Sequence, residues 1–272
     1  MKKVYKPRKG IKIICCLIIL IFCLYLYGRY INTNSFKINE IAIKDELLPS
    51  DYNGLKIAHF SDLHYGRTTT EETLKKVVNA LNELNADIVI FTGDLFDFKN
   101  INEKDKKLIT NYLKKINAKA FKFAVIGDYD QKYINIYKNI MEESEFTLLD
   151  NTNKLIYYKS IEPINIIGLT NTENINELYT NSTYNITLIH KPDLIKNINN
   201  TNLAFAGHSL GGQIRIPFIG GIKKIDGANT YIDSFYQINN TQAYISNGIG
   251  TQDISFRYFN SPSITLYRLY NK

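Results

Sequence analysis

The sequence predicts a mixed α/β domain carried behind one membrane helix. Strand-like and helix-like patterns alternate over residues 55–144. Short strands with little helix between them follow to the C-terminus, and a long apolar run precedes both regions.

The apolar run, Ile11–Tyr27, is 17 residues long and holds one charge, Lys12, which can snorkel outward. A membrane span needs about 20 residues, with about 17 as the lower limit. The rival reading is a cleaved signal peptide. No A-x-A-like cleavage site lies near Gly28, and Phe22 before Cys23 does not suit a lipoprotein box. The run therefore reads as an uncleaved anchor. Lys2, Lys3, Lys6, Arg8, Lys9, Lys12 and Arg29 flank it with no acid among residues 1–29. That flank predicts a single-pass protein at the cell membrane, its N-terminus cytoplasmic and its domain on the extracytoplasmic side.

Residues 30–54 read as a juxtamembrane linker with a first strand, FKINEIAI, and residues 55–272 as one domain. Within it LKIAHF (55–60), DIVIFTGD (87–94) and KFAVIGD (122–128) are predicted strands. Helices are predicted at 69–86, 103–117 and 131–144, the first with Thr70 as N-cap and Leu74, Val77, Val78, Leu81 and Leu84 at helical spacing. That order indicates a parallel sheet in the first half. LIYY, INIIGL, YNITLIH, NLAFAGH, QAYISNG and SITLYRL supply the later strands.

Charge excludes one class of partner. The net +7 belongs to residues 1–29; without those seven bases the remainder holds 26 basic and 26 acidic residues. The body offers no electrostatic case for nucleic acid. All three cysteines, Cys15, Cys16 and Cys23, lie in the apolar run. The domain thus has no disulfide, thiolate nucleophile or cysteine-based metal site.

Gly207-His208-Ser209-Leu210-Gly211 fits G-x-S-x-G, the nucleophile elbow of lipases. An elbow serine needs a helix after it and an Asp or Glu and then a His later in the chain. IRIPFIGG alternates instead of forming a helix, and none of the four histidines, His59, His64, His190 and His208, follows Ser209. The triad cannot be completed in that order.

A metal centre uses the same residues better. In open α/β sheets ligands sit beyond the carboxyl ends of strands. Asp62, His64, Asp94, Asp128, His190 and His208 all follow predicted strands. An oxygen-and-imidazole set suits one or two divalent ions such as Mn, Fe or Zn.

On these motifs the chain resembles the calcineurin-like metallophosphoesterase superfamily, in a membrane-tethered bacterial branch. The family order D-x-H, G-D, G-N-H-[DE], H, G-H-x-H appears as Asp62-Leu63-His64, Gly93-Asp94, Gly127-Asp128-Tyr129-Asp130, His190 and Gly207-His208-Ser209-Leu210. The flanking GGQIRIPFIG and ISNGIG also look like this branch. The resemblance implies a two-sheet β-sandwich flanked by helices. It implies that Asp94 bridges two metals, that Asp62 and His64 hold one, and that Asp128, His190 and His208 hold the other. It implies hydrolysis of a phosphomonoester, phosphodiester or pyrophosphate by a metal-activated water. The substrate would be a phosphorylated small molecule or a lipid-linked phosphoester. By the same resemblance Arg257 reaches the phosphate; a surface ion pair is the alternative reading of that residue.

Three positions depart from the family pattern. Leu210 stands where the last histidine is expected and has no lone pair to offer. Asp128 replaces asparagine and adds negative charge. Tyr129 stands where a histidine serves as proton donor; an ordinary tyrosine titrates near 10, against about 6.5 for histidine, and is the poorer acid–base partner at neutral pH. Two readings stay open: a phosphoesterase with slowed or altered activity, and a degenerate member acting as a binding module. Outside the motifs, alternation puts His59 and Asp62 on opposite faces, so His59 is expected to be packed or to support a ligand. Asp97 is expected in a turn or behind a ligand, and Asp130 at a helix cap as readily as in catalysis.

Overall fold

The computed structural model describes residues 9–97, 101–173, 175–180 and 183–272. Lys2, Lys3, Lys6 and Arg8 of the basic tail lie outside the described residues. Helix α1 (Lys9–Leu26) is long and apolar enough to cross a membrane by length and composition, and none of its residues is buried. A π-helical turn, Tyr27–Ile31, ends it on the domain.

The domain is a sandwich of two six-stranded sheets. The first holds β1 (Lys37–Lys44), β2 (Lys56–Phe60), β3 (Ile88–Phe91), β4 (Phe121–Ala124), β5 (Thr147–Leu148) and β14 (Ser263–Tyr270), in the order β1-β14-β2-β3-β4-β5. The second holds β6 (Thr152–Ile156), β7 (Ile164–Leu169), β8 (Tyr184–Ile189), β9 (Leu203–Ala206), β12 (Phe235–Ile238) and β13 (Thr241–Ile245), in the order β12-β13-β9-β8-β7-β6. A two-stranded hairpin, β10 (Arg215–Ile216) with β11 (Gly220–Gly221), projects between β9 and β12 in the chain. Helices α2 (Glu71–Glu83), α3 (Glu103–Leu113), α4 (Asp128–Gln131) and α5 (Ile134–Glu143) connect the strands of the first sheet.

Side-chain alternation builds the layers. Ile57 of β2 faces the second sheet while Ala58 and Phe60 face the helices. Ile57, Ile88, Ile90, Phe123 and Val125 meet Ile166, Ile186, Leu188 and Phe205 in the sandwich interior. Leu74, Val77, Val78 and Leu81 give α2 its apolar stripe, and Ile109, Leu113, Tyr137 and Ile140 do the same for α3 and α5. Every residue of β7 and β8 is buried, as in parallel strands covered on both faces. Thr70 caps α2 as expected, its hydroxyl accepting from the Thr73 amide.

Strands β2, β3 and β4 are parallel to one another, as are β7, β8, β9 and β13. Their carboxyl ends open onto one rim. The loops there are laced together: the Asp62 amide donates to Gly93 O (2.9 Å), His64 to Asp94 O (3.1 Å) and Gly207 to His190 O (3.1 Å). The His208 amide donates to both oxygens of Asp62 (3.1 and 3.0 Å), which joins the two sheets.

Candidate metal centre

Among the described residues, two buried groups of ligating atoms lie on this rim, Asp94 with His190 and His208, and Asp62 with His64 and Asp94. Asp94 belongs to both. Its Oδ1 accepts the Tyr129 amide at 2.8 Å. Its Oδ2 is left to face His190 Nε2 at 3.2 Å and His64 Nε2 at 3.8 Å. One carboxylate oxygen thus stands between two imidazoles.

The ring protons are fixed from outside. His190 Nδ1 lies 2.7 Å from Thr92 O, and His208 Nε2 lies 2.7 Å from Asp226 O. A carbonyl only accepts, so each of these nitrogens carries the proton. The remaining nitrogens, His190 Nε2 and His208 Nδ1, face each other at 3.1 Å. When both rings are neutral these nitrogens present lone pairs to the same space, which a metal ion can fill; without one, a proton on His190 Nε2 fills it. Asp94 Oδ2 completes a three-donor set of oxygen and imidazole, which suits a divalent metal.

The electrostatics agree. Burial pulls His190 down, but the Asp94 carboxylate outweighs it and raises the imidazole to about 10. Burial pushes Asp94 up, yet His190 and His64 hold it well below the usual carboxylate range. Burial raises Asp62 to about 7 and lowers His64 to about 4. Asp94 thus draws positive charge to His190, while at Asp62 and His64 burial dominates.

The backbone is bent to make this possible. Asp62 (φ 51°), His64 (45°), Asp94 (59°) and His208 (66°) all adopt the left-handed region. For a residue with a Cβ this costs about 1–2 kcal/mol each. Four of the five grouped ligands sharing it marks a site where geometry outweighs local comfort. Two glycines let the loops meet. A Cβ on Gly127 would overlap the Asp94 amide and Oδ1, and one on Gly93 (φ 89°) would lie 2.6 Å from the Gly127 nitrogen.

Of the residues singled out from sequence, Asp62, His64, Asp94, His190 and His208 are brought together. Asp128 is not among them. It is half exposed, and its Oδ2 pairs with Lys191 Nζ at 3.0 Å, because it starts α4 with its side chain turned toward that cation. Tyr129 stands at the centre, its ring edge-on to His64 with centroids 5.0 Å apart. Burial raises its pKa, and the Gln252 side chain hydrogen-bonds to it. Leu210 is buried beside Asp62: a Cβ on Gly248 would lie 2.6 Å from Leu210 Cδ2 and 2.9 Å from Asp62 Cβ.

Arg257 departs from the expectation that it meets a phosphate. Its guanidinium is fully buried and donates to Gly250 O and, at 3.4–3.5 Å, to Gly248 O and Leu210 O. Those carbonyls hold it inside the loops that shape the rim. His59 lies in the sandwich interior, Nε2 at 2.8 Å from Thr92 Oγ1. Asp97 sits behind the centre, Oδ2 3.9 Å from His64 Nδ1 and 2.6 Å from Arg67 Nε. Asp130 is a buried hub that accepts from the amides of Asp94, Leu95 and Gly127 at 2.8–2.9 Å.

The calcineurin-like phosphoesterase model matches residues 55–230, which carry all five converging ligands. The chain belongs to the calcineurin-like phosphoesterases. It is 30% identical over 256 residues to an uncharacterized metallophosphoesterase of Bacillus subtilis (strain 168), YkuE, covering 90% of this chain and 89% of that protein. A second Bacillus subtilis (strain 168) metallophosphoesterase, YkoQ, is 28% identical over 94% of this chain and 99% of its own length. The UDP-2,3-diacylglucosamine pyrophosphatase LpxG of Chlamydia muridarum (strain MoPn / Nigg) is 24% identical over 90% and 92% of the two chains. Within this metallophosphoesterase fold, sequence reasoning missed Thr92 and Asp226, which act on His190 and His208 through main-chain carbonyls. Since any residue type has a carbonyl, no sequence signal marks them.

Proposed function

We propose that this phosphoesterase is a membrane-anchored, metal-dependent hydrolase of a phosphoester or pyrophosphate whose leaving group needs no proton. The observation that carries the reading is Asp94 Oδ2 standing between His190 Nε2 and His64 Nε2. One ion would be held by Asp94, His190 and His208, a second by Asp62, His64 and Asp94. Oxygen and imidazole donors with no thiolate favour Mn, Fe or Zn. When bound, such ions supply Lewis acidity toward a phosphoryl oxygen and activate water.

The other residues position rather than transfer. Tyr129 stays protonated at neutral pH, since burial raises it, and donates a hydrogen bond where a histidine would exchange a proton. Lys191, paired with Asp128 at the half-exposed mouth, is a cation able to meet an incoming phosphate. Lacking a strong proton donor, the site favours a leaving group that departs as a stable anion, as phosphate does from a pyrophosphate. The pyrophosphatase named among the relatives supports that class. The apolar α1 and the bases around it support an anchor with the domain on the extracytoplasmic side.

Leu210 favours a second reading, a binding module that holds one ion without turnover. The full chain, assayed with Mn and an activated aryl phosphodiester beside Asp94→Asn, separates the two. Hydrolysis lost in the variant is the expected result. Equal traces in both would leave the binding module.

A further inference from the structure

The β10–β11 hairpin carries a surface the metal centre does not use. Arg215 pairs with Gly221 and Ile216 with Gly220, so Pro217, Phe218 and Ile219 form the tip. Phe218 is wholly exposed and Ile219 is 73% exposed. Ile216, Ile222 and, on the neighbouring loop, Ile254 and Phe259 are exposed as well. Ile216, Phe218 and Ile219 line a shallow cleft with Phe259. The one charge in residues 214–222, Arg215, turns back to Gly211 O (3.1 Å) and Asp233. Burying the tip in an apolar phase would strand no charge.

This surface is continuous with α1. The Arg257 amide donates to Gly28 O at 3.0 Å. Phe256 stacks on Tyr25 and leaves no room for a Cβ on Gly28. Tyr258 contacts Tyr27, and its carbonyl accepts the Arg215 amide at 2.8 Å. An aromatic ladder, Tyr25–Phe256–Tyr258–Phe259, therefore runs from the end of the apolar helix to the hairpin. At its other end the hairpin grows from the Leu210–Gly212 turn of the metal rim.

We propose that the hairpin tip is a wedge that enters the bilayer beside α1, fixing the rim against the lipid surface so that the centre takes phosphoesters presented by lipids. The lipid-substrate part rests on the hydrolase reading; the wedge itself rests on α1 lying in the bilayer. Large apolar side chains entering the headgroup boundary by about 5–10 Å are the physical basis of interfacial binding.

The chain has no tryptophan, which gives a clean depth probe. The full chain is reconstituted in phosphatidylcholine vesicles with or without brominated acyl chains, as Phe218→Trp, Phe22→Trp in α1, or Tyr157→Trp. Tyr157 is exposed, just past β6 at the opposite edge of the second sheet. The wedge predicts blue-shifted emission from Phe218→Trp, quenched roughly twofold by the brominated lipid as for Phe22→Trp, with Tyr157→Trp unquenched. Quenching of Phe22→Trp without Phe218→Trp overturns the wedge and leaves the anchor. Failure of both overturns both. A blue-shifted but unquenched Phe218→Trp reports a protein partner and also overturns it. Phe218→Asp with Ile219→Asp should lower turnover of a diacyl-lipid phosphoester in vesicles about tenfold while sparing a soluble aryl phosphodiester. An equal loss on both substrates overturns lipid presentation. If no variant or parent turns over either ester, the hydrolase reading fails while the depth measurement still decides the wedge.

Discussion

His190 Nε2 and His208 Nδ1 face each other at 3.1 Å, and the other nitrogen of each ring is committed to a carbonyl. With both rings neutral the two lone pairs would repel; a proton on His190 Nε2, which the Asp94 carboxylate favours, or a metal ion in its place relieves this. The full chain purified without chelator should retain about one equivalent of Mn, Fe or Zn, by elemental analysis. Asp94→Asn should retain none. An intact metal content in that variant would remove Asp94 from the centre.

Leu210 and Asp62 both border Gly248, and Leu210 stands where the family pattern has a further histidine ligand. Leu210→His should tighten retention of a second ion about tenfold or more, since even support around a ligand is worth 10–100-fold. Titration with Mn, followed calorimetrically, reads this. Leu210→Ala is the control: it should cost about 2–5 kcal/mol of stability by opening a cavity, with no gain in metal. Adding Tyr129→His and Asp128→Asn to Leu210→His should raise aryl phosphodiester hydrolysis, because a positioned acid–base group contributes about 10²–10⁴ in rate.

Gly127 has no room for a side chain. An added Cβ would overlap the Asp94 amide and carboxylate, so Gly127→Ala must push Asp94 away from its imidazoles. A shift of about 1 Å at such a site costs on the order of 10² in rate. The expected outcome is loss of metal with the fold retained, read by elemental analysis beside circular dichroism. Retained metal would mean the loop yields elsewhere.

His59 provides a test of pH dependence. It is buried against Phe205 and Tyr267, and burial lowers its imidazole to about 3, against about 6.5 unfolded. The depressed value means the unfolded chain binds the proton first. Stability is therefore full above pH 6.5 and falls as pH drops toward 3. Between pH 7 and 5 the parent should lose about 2 kcal/mol that His59→Gln does not. Denaturant midpoints with chelator present in both samples check this. Parallel losses would place the sensitivity elsewhere.

The sequence made some of this legible and hid the rest for physical reasons. Short apolar runs marked β2, β3, β8 and β9, which are buried on both faces, and helical spacing marked α2. Motif order marked Asp62, His64, Asp94, His190 and His208, because each ends a strand. Asp128 has the spacing of a ligand position, but its pairing with Lys191, 63 residues later, carried no sign in the sequence. Arg257 was misread because a lone arginine carries no sign of whether it meets a phosphate or three carbonyls. Asp130 was legible only as a cap; its reach to Asp94 and Leu95 depends on loops folding together.

Asp62 and His208 lie 146 positions apart, on opposite sheets, yet one amide hydrogen bond and the shared rim hold them together. An ion seated among these loops would work as a clasp across the sandwich, closing a very long stretch of chain at a single point. Chelation should then be felt as a loosening of one half against the other, visible as new protease cuts near Ser209 or Gly248 well below the temperature at which either half melts.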